Sequence, residues 1–209
     1  SYYLGLASLY QRGGKLTEAE KAFRKACEIA PKSLAAAFAL VQFYVDAGKR
    51  AEADALVERL RSEQGKDASV LVLVARYQQA MGRMAEAEKA CREAVALDSK
   101  SPSLRVLLGD FLTATGRQAE ACDAYREALR LGQADARAKV VEALLRSGRL
   151  AEASGEVEAA LKERPKDAAL HVAQARLLLA EAEHEAPAGK LEACRAACEA
   201  ALELSPSEM

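Results

Sequence analysis

Apolar residues recur along this chain at spacings of three and four. Between Met84 and Leu97 they fall at Ala87, Ala90, Cys91, Ala94, Val95 and Leu97, a stripe along one side of a helix. A run of similar length, Ala68 to Ala80, comes before it, and the two flank Gly82. The same arrangement returns along nearly the whole chain. No alternating Val, Ile and Thr runs occur, so the pattern predicts helices joined in pairs and no strands.

The turn between paired runs is copied almost verbatim. Gly14-Lys15-Leu16-Thr17-Glu18-Ala19, Gly48-Lys49-Arg50-Ala51-Glu52-Ala53, Gly82-Arg83-Met84-Ala85-Glu86-Ala87 and Gly116-Arg117-Gln118-Ala119-Glu120-Ala121 stand 34 residues apart. A fifth copy begins at Gly148, 32 residues on, and a degenerate sixth at Gly189, after 41. Each glycine ends a first helix, where it can turn left-handed without a steric penalty. Pro31, Pro165 and Pro206 fall after second helices, where the helix has to stop. The acidic residue once per repeat, Glu18, Glu52, Glu86, Glu120 and Glu152, suits the positive end of a second helix.

A single pair cannot bury both of its apolar faces. Stacked pairs share one core, so stability becomes a sum over repeats and their interfaces. The column Ala19, Ala53, Ala87, Ala121, Ala153 and Cys194 then marks where the second helix approaches the first. The expected organisation is one domain over 1–209, with repeats at 1–33, 34–67, 68–101, 102–133, 134–167 and 168–208. The last repeat carries about seven extra residues around Glu183 to Pro187, nearly two helical turns, which predicts a longer first helix broken near Pro187.

These residues resemble the tetratricopeptide repeat family. The first repeat carries the family pattern in Tyr3, Leu6, Ala7, Tyr10, Ala19, Phe23, Ala26 and Pro31, and the fourth in Leu108, Gly109, Ala121, Tyr125 and Ala128. The second, third and fifth keep Leu40, Tyr44 and Ala53, then Leu71, Ala75, Ala87 and Ala94, then Val140, Leu144, Ala153, Ala160 and Pro165. The chain departs from the pattern in having no Trp and in placing Leu, Val or Ala at many aromatic positions. The resemblance implies an all-α, right-handed α-solenoid of about six antiparallel helix pairs, whose first helices line a concave surface for a protein partner.

Carried over by position, the inward residues are Leu4, Ser8, Gln11 and Arg12, then Phe38, Gln42 and Val45, then Val72, Arg76 and Gln79. They continue as Val106, Asp110 and Thr113, then Ala138, Glu142 and Leu145, then Val172, Arg176 and Leu179. Such a groove suits an amphipathic helix or an extended peptide with spaced apolar anchors. Phe38 and Arg76 stand out, because aromatics and Arg carry a large share of binding energy. Each of these positions can also be read as ordinary packing or surface. One subfamily clamps acidic chaperone tails with Lys and Asn; here Leu4 and Ser8, Phe38 and Gln42, and Val72 and Arg76 occupy those places, which disfavours that role.

Composition and charge narrow the function. The chain has 209 residues, 51% hydrophobic and 29% charged, a globular balance. A net charge of −1 disfavours general nucleic-acid binding, which needs a surplus of Lys and Arg. Residues 1–33 hold six basic and three acidic side chains, while residues 168–209 hold three basic and seven acidic. The imbalance reads as a solvated surface, or as a sign that copies meet end to end in a homo-oligomer through the solenoid ends, or that a partner spans both ends. No run of eighteen apolar residues supports a membrane span, and no signal peptide is visible at Ser1.

The five cysteines, Cys27, Cys91, Cys122, Cys194 and Cys198, sit in Ala-rich helical runs and read as small buried hydrophobes, with reduced thiols pointing to the cytoplasm. His171 and His184 make no zinc motif, and neither a phosphate-cradling loop nor a nucleophile constellation is present. No catalytic residue, metal or cofactor is therefore expected. The leading function is a scaffold or adaptor that holds a partner peptide or helix. The alternative is a segment of a larger bacterial envelope, secretion or exopolysaccharide-export assembly, which would move the setting to the periplasm. RNA binding is opposed by charge and by the few aromatics in the groove.

Overall fold

The computed structural model describes residues 2–184 and 188–204, with the backbone alone described at 183, 184 and 188–191. Among the described residues there are twelve α-helices and no strand. They pair as α1 (Tyr2–Arg12) with α2 (Leu16–Ile29), α3 (Leu34–Asp46) with α4 (Arg50–Gln64), and α5 (Ala68–Ala80) with α6 (Met84–Leu97). Then come α7 (Pro102–Ala114) with α8 (Gln118–Arg130), α9 (Ala136–Arg146) with α10 (Leu150–Glu163), and α11 (Ala168–His184) with α12 (Ala188–Leu204). The helices gather into two compact units, Ser1–Asp98 and Ser99–Met209.

Local chemistry sets the helix ends. Gly14, Gly48, Gly82, Gly116 and Gly148 all have φ between 70° and 78°, the left-handed region a side chain would strain. That turn lets the next amide reach back: Lys49 N donates to Tyr44 O at 2.8 Å and Arg83 N to Gln78 O at 2.8 Å, satisfying last-turn carbonyls. Gly132, at φ 97°, does the same after α8, where no proline stands. Pro31 and Pro165 follow α2 and α10 as expected; Pro206 lies outside the described residues. Three first helices, α3, α5 and α11, start on side-chain caps: Ser33 Oγ accepts from Ala36 N at 3.3 Å, Asp67 Oδ1 from Ser69 N at 2.8 Å, and Asp167 Oδ1 from Ala169 N at 3.1 Å. Pro102 opens α7, a position that has no amide to lose.

The alanines of the column, Ala19, Ala53, Ala87, Ala121 and Ala153, are all buried. Cys194, its sixth member, is half-buried, and its thiol donates to Ala175 O at 3.3 Å. The cysteine expectation needs correcting elsewhere: Cys91 and Cys122 are buried, but Cys27 is only half-buried and Cys198 is exposed, because α12 turns that side to solvent. The extra residues of the last repeat lengthen α11 to 17 residues, against 11 to 13 in the other first helices. Pro187, the expected break, lies outside the described residues.

The hairpins are not equally tight. α1/α2, α5/α6 and α7/α8 pack closely, while α3/α4 and α9/α10 sit more openly. Seven residues before the turn glycine, the close pairs carry Ala7, Ala75 and Gly109; the open ones carry Val41 and Val141. Twelve residues after the glycine, Leu60 of α4 stands where Ala26, Ala94, Ala128 and Ala160 stand elsewhere. Bulk at the crossing holds the axes apart. Gly109 is the extreme case: a Cβ there would lie 2.3 Å from Cε1 of Tyr125, so only glycine admits that ring against α7.

Candidate functional site

In the Ser1–Asp98 unit the first helices are α1, α3 and α5. None of the groove residues expected on them is buried. Phe38, Gln42 and Val45 of α3 and Arg76 and Gln79 of α5 converge on a depression of about 270 Å³, with Val41, Leu73, Tyr77 and Ala80 completing its wall. Phe38 is 44% exposed although its neighbours Ala37 and Leu40 are buried. Arg76 is exposed and forms no ion pair among the described residues. Leu4, Ser8, Arg12 and Val72 are not brought to this depression. Ser8 spends its hydroxyl on Leu4 O at 3.0 Å.

An acid next to the depression is already engaged. Asp46 accepts from Gln42 Nε2 at 2.8 Å and from Gln11 Nε2 at 3.3 Å, tying α1 to α3. Behind the wall, the Tyr77 hydroxyl donates to Asp54 Oδ1 at 2.9 Å, and Arg83 Nη1 pairs with the same oxygen at 2.7 Å. Burial, then the bond to Asp54 and its negative charge, push Tyr77 up to about 12, so it stays a neutral donor.

The Ser99–Met209 unit presents a different face. Val106, Asp110 and Thr113 of α7, Ala138, Glu142 and Leu145 of α9, and Val172 of α11 are half-exposed; Arg176 and Leu179 are exposed. Its charges are spent on each other. Asp110 accepts from Tyr125 at 2.8 Å and from Lys139 Nζ at 2.5 Å, while Thr113 Oγ1 lies 3.1 Å from the same Tyr125 hydroxyl. Lys139 also stands over the Tyr125 ring at 5.5 Å. Burial, joined by the bond to Asp110, drives the Tyr125 phenol far above its ordinary range. Glu142 holds Arg146 at 2.9 Å and Arg176 at 2.6 Å. Burial works to raise that carboxyl, and the two arginine bonds outweigh it and hold it low.

Sequence reasoning missed Tyr125, Lys139 and Arg146, since the first comes from a second helix and the others lie one residue off the expected positions. It also missed a larger cleft of about 730 Å³ behind α3, bordered by Arg24, Cys27, Leu56, Arg59, Leu60 and Glu63. The nearest sequence signal was Leu60, which lines the cleft and stands where the other second helices of the described hairpins carry Ala. Burial pushes the Cys27 thiol up, away from reactive thiolate chemistry.

Among the described residues no group of three His, Cys, Asp or Glu side chains could hold a metal ion. His171 Nε2 lies 2.9 Å from Pro165 O, a local bond at the start of α11. No described helix is long and apolar enough to cross a membrane.

Repeated antiparallel helix pairs with exposed first-helix faces define a class of helical-repeat interaction proteins. Two models of the tetratricopeptide repeat match the sequence, one over residues 6–77 and the other over 75–136 and 141–208, and the chain belongs to that family. No curated protein matches. Among solved structures, PilW, a type IV pilus biogenesis factor, is similar at a TM-score of 0.66 and 16% identity, over 100% of this chain and 94% of that one. PilF of Pseudomonas aeruginosa is similar at 0.61 and 20%, over 99% and 92%. YrrB, a repeat protein with an unusual peptide-binding site, gives 0.59 and 17%, over 91% and 95%. At these identities the likeness is one of fold. Both matching family models describe repeats of a protein-binding kind, and neither is catalytic.

Proposed function

We propose that the chain is a scaffold that holds a partner through a peptide or helix laid on the first-helix face of the Ser1–Asp98 unit. The observation that carries this is the 270 Å³ depression, where an exposed Phe38 stands beside Arg76, a cation with no ion pair among the described residues. An apolar side chain entering between Phe38, Val45 and Leu73 would bring a neighbouring carboxylate within reach of Arg76. Leu4, Ser8, Arg12 and Val72 would extend the contact along α1 and α5. Val106, Asp110, Thr113, Glu142 and Arg176 would offer the corresponding face of the other unit, where a ligand has to compete with ion pairs already made. The partner class is a protein or peptide, not nucleic acid.

Peptides selected on the immobilised chain from a random display library provide the test. Phe38→Ala with Arg76→Ala is expected to weaken the selected peptides at least about tenfold, as for a central aromatic and arginine pair. Peptides that bind both forms equally would remove the groove from this role. Reduced thiols, as expected of cysteines in Ala-rich helical runs, favour the cytoplasm as the setting. Fractionation of cells expressing the protein checks this, and recovery with the periplasm would favour the envelope-assembly alternative.

A further inference from the structure

The cleft behind α3 lies where a clasp between neighbouring second helices is missing. Helices α4 and α6 are tied at two places. Arg83, just before α6, pairs with Asp54 at 2.7 Å, and Arg61 of α4 pairs with Glu93 of α6 at 3.2 Å. Between α2 and α4 the first clasp recurs, from Lys49 just before α4 to Glu20. The second does not. Arg61 stands thirteen residues after its turn glycine, and Glu93 eleven after its own. The same places in α2 and α4 hold Cys27 and Arg59, which form no such pair. Arg59 is exposed and has no ion pair among the described residues; the same holds for Glu63, one turn further along α4.

A second observation concerns shape. The cleft holds about 730 Å³ and follows α3 from Ser33 to Tyr44, eleven residues or about 16 Å of helix. Its floor is apolar: Ala37 and Leu40 of α3, with Leu56 and Leu60 of α4. These four keep only 4–8% of their surface open. The cleft therefore narrows inward and admits side chains rather than the body of a helix, which is about 10 Å across. An extended chain covers about 16 Å in about five residues. Arg59 and Glu63 stand about 6 Å apart along α4. Two residues of extended chain span that distance, and their side chains point the same way.

We propose that this cleft docks an extended segment of a partner protein in which an acidic and a basic residue flank one apolar residue. The acid meets Arg59 and the base meets Glu63. The apolar residue between them turns the other way, towards Cys27 and the floor at Ala37 and Leu40. The partner's carboxylate supplies for Arg59 what Glu93 supplies for Arg61. A purely acidic segment would set like charges against Glu63 and Glu52 on the rim, and a purely basic one against Arg59, so the mixed pattern is selected. Leu40 lines this cleft and Val41 the depression in front, so the two sites lie on different sides of α3.

The probes are peptides selected from a random display library on the full chain carrying Phe38→Ala and Arg76→Ala, which disables the groove in front. The enriched peptides should carry the acid–apolar–base pattern. Dye-labelled, they should bind the native chain saturably in fluorescence anisotropy. Arg59→Glu should weaken binding at least about tenfold, as for a lost interfacial charge pair. Arg59→Gln takes its place if the reversed charge disturbs folding. Lysine in place of the peptide's acid should restore binding to Arg59→Glu alone. Ala55 is an exposed residue of the cleft wall, and Ala55→Trp, which fills the cleft, should weaken binding as well. Bound peptide should slow alkylation of Cys27 by N-ethylmaleimide and leave exposed Cys198 unaffected, as read by mass spectrometry. No enrichment, apolar residues recurring three and four apart, equal binding to Arg59→Glu or Ala55→Trp, or unchanged Cys27 alkylation would overturn the proposal. Self-association of the native chain in sedimentation, abolished by Arg59→Glu, would give the cleft to a second copy and overturn it too.

Discussion

Small residues in this chain mark where another group must come close. Gly109 has no side chain because the Tyr125 ring occupies the place of its Cβ, and that ring carries its hydroxyl through to Asp110 and Thr113. Gly109→Ala is expected to lower stability by about 1–3 kcal/mol, the usual cost of overpacking a tight core. Tyr125→Leu in the same chain should recover part of that loss, as urea denaturation would show. Ala87, fully buried where α6 meets α5, has no spare room either. Ala87→Phe should cost a similar ~1–3 kcal/mol, and an unchanged melting temperature would contradict the packing described. Tyr125→Phe keeps the ring and loses only the hydroxyl bonds. It should cost about 1 kcal/mol, the ordinary net worth of such a bond, because Asp110 retains Lys139.

Between elements of the first unit, apolar packing is supplemented by carboxylates that fix register. The hydrogen bond from Lys49 is the main influence holding the Glu20 carboxyl below its ordinary value, and burial opposes it. The bond from Arg83 does the same for Asp54. In both cases the folded chain prefers the ionised form. Their contribution is therefore complete above the ordinary carboxyl values of 4.5 and 3.8, and is lost as pH falls through the lower folded values. Urea midpoints should be level from neutral pH down to the ordinary carboxyl range and fall below it. Glu20→Gln should lower the midpoint at pH 7 and reduce the acid-induced fall. A variant that follows the native pH profile in full would remove Glu20 from this role. The more open α3/α4 hairpin belongs to the same scale: Leu60 lines the cleft behind α3, while Phe38 and Val41 stand on the front depression.

At the scale of the molecule, every substantial contact joins helices one or two apart in the chain. Loop closure then costs little before contacts form, and helical proteins of this kind fold fast. The major refolding phase, followed by tyrosine fluorescence after dilution from urea, should be complete within about 0.1 s. A major phase of many seconds would point to long-range structure that the helix pairs do not provide.

The turn glycines, the alanine column and the 34-residue spacing determined the helix pairs in advance. α5 and α6 begin and end where the apolar runs do, because helix ends are local chemistry: a left-handed glycine, a capping Ser or Asp, a proline. The exposure of Phe38 and Arg76 was legible for the same reason, since repeat position alone assigns a face. The sequence was silent on which charges are already spent. Asp110, Glu142 and Arg176 look like groove residues in a list, and only packing brings Tyr125, Lys139 and Arg146 against them. Of the cleft behind α3 it carried only Leu60; the size of the cleft depends on how far bulky side chains part a pair of helices. Periodicity reports which side of a helix faces inward; distances between helices, and therefore ion pairs and cavities, are decided when the side chains meet.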